Sequence, residues 1–486
     1  MTSAPGLVKC TPDSATVQLF HFSTFLSVQC RDAWAAPKTV EREIHHRVNW
    51  RELFATPGFR WLFLAMFISL FGTGLNFNGV TWWVLQETGS TVAVSLMSIL
   101  VMLPGLVVPP FGGVLIDRVD RRYLGITLDV LRAGVVLGAS ALFYFGVGRV
   151  LHIYGMVLLL GVGFAIYWSS ANALVQEVIP RSQLGAANAV VLIAVQSGMM
   201  SAGAVVGFIY EYTGLGGILA IDGVTYLASA FCLMHLRRGY FAPTQHAEVR
   251  EPAATDEVPP LIEPSEDAVI PPVVEPGIAT RFFADLKEGL RYLRREGQVF
   301  ALGLTYACMM AGVISANVLV VALASMVLQA GPRGYGYIEA AWAIGAIAGG
   351  LAVGALVRWR SPGTVLVTAL ALLAVGHTLF PYVKWLGLAV LMNAFLGACR
   401  ALGGVLTQSS IMAVVPRRLM GRTQSAFSVI STILQVTMSF SLGWLAQHVG
   451  LPLAFAVLGL LYGGATLAAM RAVSLTPRPH EPRHAV

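Results

Sequence analysis

The chain has 486 residues, of which 56% are hydrophobic and 12% charged, and its mean hydropathy is +0.70. That charge share is about half of what a soluble domain carries. Too few polar groups are present to cover a water-soluble body of this size. A soluble enzyme, a nucleic-acid binder and a disordered scaffold are therefore excluded, and a polytopic membrane protein is left. The formal charge of +7 then reads as basic loops on one membrane face, with no nucleic-acid partner expected. Cys10, Cys30, Cys232, Cys308 and Cys399 show no CxxC spacing, so neither a disulfide framework nor a metal site is expected. No Walker A loop, HExxH, GxSxG or EF-hand pattern occurs, so no cofactor and no ATP-driven or enzymatic chemistry is expected.

In chain order, residues 1–57 are polar and read as a cytoplasmic N-terminal tail without a signal peptide. Their one apolar run, Leu19–Leu26, is too short to span a bilayer. Windows of ~20 apolar residues give six spans within 58–238, near 60–84, 92–115, 123–147, 151–173, 184–210 and 216–236. Residues 239–279 read as a flexible cytoplasmic linker. Positions 243–276 hold eight prolines and eight acids against one arginine, Arg250, and such a segment cannot bury enough apolar surface to order itself. In 280–297, Phe282, Phe283, Leu286, Leu290 and Leu293 share one helical face, with Lys287, Arg291, Arg294 and Arg295 largely elsewhere. This is the pattern of an amphipathic helix at a membrane interface. Six more spans follow within 298–472, near 298–328, 337–357, 363–383, 386–414, 421–447 and 451–471, and 473–486 form a cytoplasmic C-terminal tail.

The expected fold is an all-α membrane protein with twelve transmembrane helices in two pseudo-symmetric six-helix bundles. With both ends cytoplasmic, 27 of the 32 Lys and Arg lie inside and three, Arg149, Arg333 and Lys384, lie outside, which sets the orientation. The two halves align at a constant offset of 236. Pro180 meets Pro416, Arg181 meets Arg417, Gly185 meets Gly421, Gly207 meets Gly443 and Gly214 meets Gly450. Two related six-span units around a long inside loop form a transporter architecture.

After the second span the chain runs Gly-Gly-Val-Leu-Ile-Asp-Arg-Val-Asp-Arg-Arg over residues 112–122. Gly113, Asp117, Arg118, Arg121 and Arg122 resemble the signature loop of the major facilitator superfamily, with Asp120 where that family usually has Gly. The phrases Trp82–Ser90, IPRSQLGAANAV and DLKEGLRYL are similar to the branch of enterobactin exporters and macrolide efflux proteins. The resemblance covers roughly residues 50–472. It implies a secondary transporter that works by alternating access, and a cytoplasmic gate built from this loop. Physically, Gly113 lets a helix approach, Asp117 can meet a helix N-terminus, and the three arginines can hold a carboxylate or anionic lipid. The alternative is a plain basic loop that only sets topology.

Ionisable groups inside spans are costly and point to function. Asp129 and Arg132 are three apart on the third span, so they share a face and are expected to pair in support of the gate. Arg400 lies near the midplane with no acid close in sequence. Its partner is either an anionic substrate group or a carboxylate on another span. Asp222, apart from Asp129, reads as the carboxylate well inside a span and is the candidate proton carrier, with a helix-terminus role as the alternative. Asn76, Asn172, Asn317 and Arg400 are the expected substrate-binding set, because in the resembled family helices one, four, seven and ten line the cavity. Interhelical hydrogen bonding would use the same residues. Trp82 is a further polar candidate. Gly198, Gly203 and Gly207 resemble an eroded exporter motif, with Ala204 where the motif has Pro; close helix packing also explains them.

The functional expectation is a proton-coupled exporter of a small amphipathic or anionic molecule, monomeric, in the bacterial inner membrane, with lipid and protons as its other partners. The alternatives are a lipid or nutrient transporter of the same fold and a transport-inactive sensor or scaffold.

Overall fold

The computed structural model describes residues 54–108, 119–179, 184–236 and 278–475. The expected linker, most of both tails, and Gly113, Asp117 and Arg118 lie outside the described residues. The helices are α1 (Pro57–Thr88), α2 (Thr91–Val107), α3 (Arg121–Tyr144), α4 (Val150–Val178), α5 (Leu184–Met234), α6 (Ile278–Arg295), α7 (Gly297–Ala322, continued by a π turn Leu323–Val327), α8 (Gly331–Trp359), α9 (Pro362–Leu379), α10 (Leu386–Val414), α11 (Arg417–His448) and α12 (Leu451–Ser474).

Among the described residues ten helices are long and apolar enough to cross a membrane. The shorter α2 is also apolar, and α5 breaks at Gly214 (φ 61°, ψ −169°) into two passes. The chain therefore makes twelve passes, all helical, as the apolar windows imply. Local chemistry sets the turns. Pro57, Pro332, Pro362 and Pro452 occupy first-turn positions, where a missing N–H costs nothing. Ser90 and Ser361 cap α2 and α9 through their hydroxyls. Asp120, the departure from the family's glycine, caps α3 by accepting the Arg122 amide at 2.9 Å. The aligned pair Gly214 and Gly450 both have positive φ, 61° and 130°, and each opens the last pass of its half. A side chain at either position would be strained.

With an even number of passes, α1 begins and α12 ends on the same side, here the termini side; the opposite side is distal. Phe59, Leu62, Leu70, Tyr167, Val175 and Leu233 anchor a core within the first six passes. A second core, with Val299, Leu302, Ile411, Val415 and Phe427, lies within the last six. Leu131, Leu159, Val224, Ile344, Leu391 and Leu460 are exposed, an outward face that suits lipid and would not suit water. Tyr144, Phe145, Tyr212, Tyr382 and Trp385 near the distal turns, and Trp359 on the termini side, are exposed aromatics at the levels where headgroups sit.

The amphipathic helix is present as α6, and part of its apolar stripe packs on protein. Leu293 is buried, with Leu286 and Tyr292 packed beside it, against Phe427, Ile411 and Val415. Glu288 accepts a hydrogen bond from Arg422 of α11 at 2.6 Å, and Gly289 brings the two backbones together at the Arg422 carbonyl. Lys287, Arg291, Arg294 and Arg295 stay exposed.

Candidate functional site

The two halves are joined on the distal side by a seam of small and polar residues. Between α2 and α11, Thr91 donates to the Gly443 carbonyl at 2.6 Å and Ser95 to the Ser439 carbonyl at 2.8 Å. Gln447 accepts from the Ser90 hydroxyl at 2.6 Å and from the Val92 amide at 3.2 Å. Between α5 and α8, Gly207 lies against Gly336 and the Pro332 carbonyl. Arg333 of α8 reaches Glu211 at 2.6 Å and the Tyr212 hydroxyl at 3.0 Å. Gly207 and Gly443 are partners in the sequence repeat, and each lies where its half closely approaches the other. The pseudo-symmetry is therefore expressed at the seam: α5 meets α8 as α11 meets α2. Close approach of this kind needs residues without side-chain bulk.

On the termini side, Arg121 and Arg122 both have partners within the first half among the described residues. Arg121 forms an ion pair with Glu177 of α4. Arg122 donates to the Leu233 carbonyl at 3.0 Å and the Met234 carbonyl at 2.6 Å, capping the sixth pass where a cation suits the helix C-terminus. Glu177 and the two carbonyls were not among the sequence candidates; only an acid at the end of the fourth span hinted at the first.

Deeper in the first half lies a closed polar network. Asp129 and Arg132 pair on one face of α3, and Ser229 donates to Asp129 at 2.7 Å. The Arg132 guanidinium sits between the rings of Tyr167 and Tyr226, 4.3 and 4.5 Å from their centroids, a favourable setting for a desolvated cation. Tyr226 shares a 3.0 Å hydrogen bond with Thr73. Asp222 is fully buried and accepts from Asn76 at 2.7 Å, while Thr225 donates to the Asp222 backbone carbonyl at 2.7 Å. Asn76 is thus used within the first half, and Asn172 donates to the Trp168 carbonyl of its own helix at 2.9 Å.

The second half holds the other in-span charges. Arg400 has a buried Nε with no hydrogen-bond partner among the described residues, and the phenols of Tyr306 and Tyr462 are its electrostatic neighbours. Glu339 corrects the sequence reading. α8 starts at Gly331, six residues before the expected span, so Glu339 stands two turns inside the helix as a third in-span carboxylate. α8 is fixed there by α10, with Asn393 donating to the Ile338 carbonyl at 2.8 Å and Gly345, Gly349 and Gly397 allowing backbone contact. Asn317, whose Oδ1 is buried without a partner, is a neighbour of the Tyr335 hydroxyl. The four expected substrate residues thus fall in separate surroundings: Asn76 beside Asp222, Asn172 on its own backbone, Asn317 beside Tyr335 and Arg400 beside Tyr306 and Tyr462.

A twelve-pass helical body with pseudo-repeated halves meeting across a glycine seam is a membrane transporter. The model of the Major Facilitator Superfamily matches residues 62–438, and the chain belongs to that family of secondary transporters, which carry small molecules and are not enzymes. Macrolide efflux protein A of Streptococcus pyogenes is 23% identical over 333 residues, 68% of this chain and 73% of the relative. The uncharacterized MFS-type transporter YfiS of Bacillus subtilis (strain 168) is 24% identical over 416 residues, 83% of this chain and 90% of that one. Among solved structures, a bacterial homologue of the iron transporter ferroportin in an inward-facing state aligns with TM-score 0.61 at 15% identity, covering 87% of this chain and 99% of that one. The nucleoside transporter NupG aligns with TM-score 0.60 at 10% identity, covering 86% and 99%. These likenesses show the shared fold.

Proposed function

We propose that the protein is a proton-coupled exporter of a small amphipathic or anionic molecule, acting as a monomer in the bacterial inner membrane with both termini in the cytoplasm. The observation that carries the reading is Arg400. A guanidinium in mid-span with an unpartnered Nε and no ion pair among the described residues is costly to keep, and an anionic group on the cargo would offset that cost. Export is supported by the likeness to macrolide efflux protein A, and the orientation by the gathering of Lys and Arg on the termini side. Asp222, buried without a salt-bridge partner among the described residues, is the candidate carrier of the coupling proton. The loop with Gly113, Asp117 and Arg118, together with Arg121, Arg122, Asp129 and Arg132, would hold the cytoplasmic side shut when the distal side opens.

The test uses everted membrane vesicles and radiolabelled taurocholate, an amphipathic anion. Wild type should accumulate it when an inward-acidic gradient is imposed and lose it on addition of a protonophore. Arg400→Ala and Asp222→Asn should abolish uptake while inserting normally. Wild-type rates in both variants would overturn the residue assignments, and indifference to the protonophore would overturn the coupling.

A further inference from the structure

Glu339 has no place in the reading above, yet its surroundings are unusual. It is partly buried, and among the described residues it forms no ion pair and no hydrogen bond. It lies at the inner edge of the distal seam, where a side chain at Gly203 of α5 would come within 3.1 Å of its Cβ. One turn outward, Tyr335 donates to the Asn78 side chain across the seam at 3.1 Å and stacks on Trp82, with ring centroids 5.4 Å apart. Trp82 is 3% exposed, and its indole N–H has no acceptor among the described residues. Asn317 brings a buried amide oxygen with no donor among the described residues. Buried polar atoms left unpaired are expensive, and two of them, with an unpaired carboxylate, surround one tyrosine.

We propose that Glu339, Asn317, Tyr335 and Trp82 form a subsite for a protonated amine on the transported molecule, completed when the distal side closes. The proposal rests on the transporter reading and gives its cargo an amine in addition to the anionic group that would meet Arg400. A metal ion fits poorly: among the described residues no three His, Cys, Asp or Glu side chains are grouped, and hard cations need more oxygens. A bare proton would satisfy the carboxylate and leave the Asn317 oxygen unpaired. An alkylammonium group has several N–H donors, enough for the carboxylate and the amide oxygen together, and the aromatic pair suits its charge. The Trp82 N–H supplies one donor for an oxygen on the same molecule. Arg333 and Glu211, the nearest charged pair along the seam, already satisfy each other further out. Because Asn78 and Gly203 come from the first half and Glu339, Asn317 and Tyr335 from the second, opening the seam would take the subsite apart and release the amine.

The probe is dansylcadaverine, a fluorescent primary amine, titrated against the full chain in lipid nanodiscs with empty nanodiscs as blank. Wild type should bind it, and its N-acetylated, uncharged analogue should not bind. Glu339→Gln should weaken binding at least about tenfold, the loss expected for a charge-assisted hydrogen bond. Asn317→Leu, a milder change to the fold, should weaken it less, and Glu87→Gln, an exposed acid at the distal end of α1, should leave it unchanged. Equal binding by wild type and Glu339→Gln, equal binding of the acetylated analogue, or no binding by wild type above the blank would each overturn the proposal. The titration needs no gradient, so it stands or falls separately from taurocholate uptake in vesicles, which tests the exporter reading.

Discussion

Replacing Gly207 by alanine places one methyl group in the seam between α5 and α8. Its carbon would lie 2.6 Å from the Pro332 carbonyl oxygen and 2.7 Å from the Gly336 Cα. Both neighbours are backbone, so no side chain can swing aside, and the helices must separate by roughly 1 Å to reach ordinary contact. Overpacking of this kind costs about 1–3 kcal/mol, and the cost falls on the distal-closed state alone. The gain in helix propensity from Gly to Ala, about 1 kcal/mol, is shared by both states and cancels. The ratio of closed to open molecules should therefore fall by about 5- to 150-fold. The assay is disulfide formation between Ser90→Cys and Gln447→Cys, whose native side chains meet at 2.6 Å, in a chain whose five native cysteines are replaced. Gly207→Ala should slow cross-linking markedly, as should Gly443→Ala, whose added carbon would meet Ser95 and the Thr91 carbonyl. Gly463→Ala, with nothing within 4 Å of its added carbon, should not. Unchanged cross-linking in Gly207→Ala would refute the claim that this contact closes the distal side.

Two further outcomes are expected. Asp129→Ala strands the buried Arg132 and should cost about 3–5 kcal/mol of stability, seen as a lowered unfolding temperature in detergent; adding Arg132→Met should recover most of that loss, and a double variant no better than the single one would count against the pairing. Gly289→Val should lift α6 off α11, because its side chain would run into the Arg422 carbonyl. Faster tryptic cleavage at Arg291, Arg294 and Arg295 is the readout, with wild-type cleavage the contrary result.

The passes were legible because a bilayer demands long apolar runs, and a repeat at fixed offset was legible because Gly207 and Gly443 sit at close approaches and Gly214 and Gly450 at positive φ, where a side chain is disfavoured. Sequence patterning could also show that Asp129 and Arg132 share a face, since both are on one helix. It could not show that Asn76 turns to Asp222, 146 residues away, or that Tyr335 reaches Asn78, because such pairs depend on how helices rotate about their axes. Glu339 was missed for a local reason. The segment Gly331–Tyr337 holds three glycines, a proline and an arginine and reads as a loop, yet Pro332 starts a helix there and carries the acid into the membrane.

The docking of α6 on α11 has a mechanical consequence. α11 runs 32 residues, about 48 Å at 1.5 Å per residue, with Arg422 near one end and Gly443 near the other. A load on the cationic surface of α6, such as anionic headgroups binding or leaving, is applied near one end of a helix whose other end meets Thr91 and Ser95. A single helix thus ties a cationic surface at one leaflet level to an inter-half contact at the opposite one.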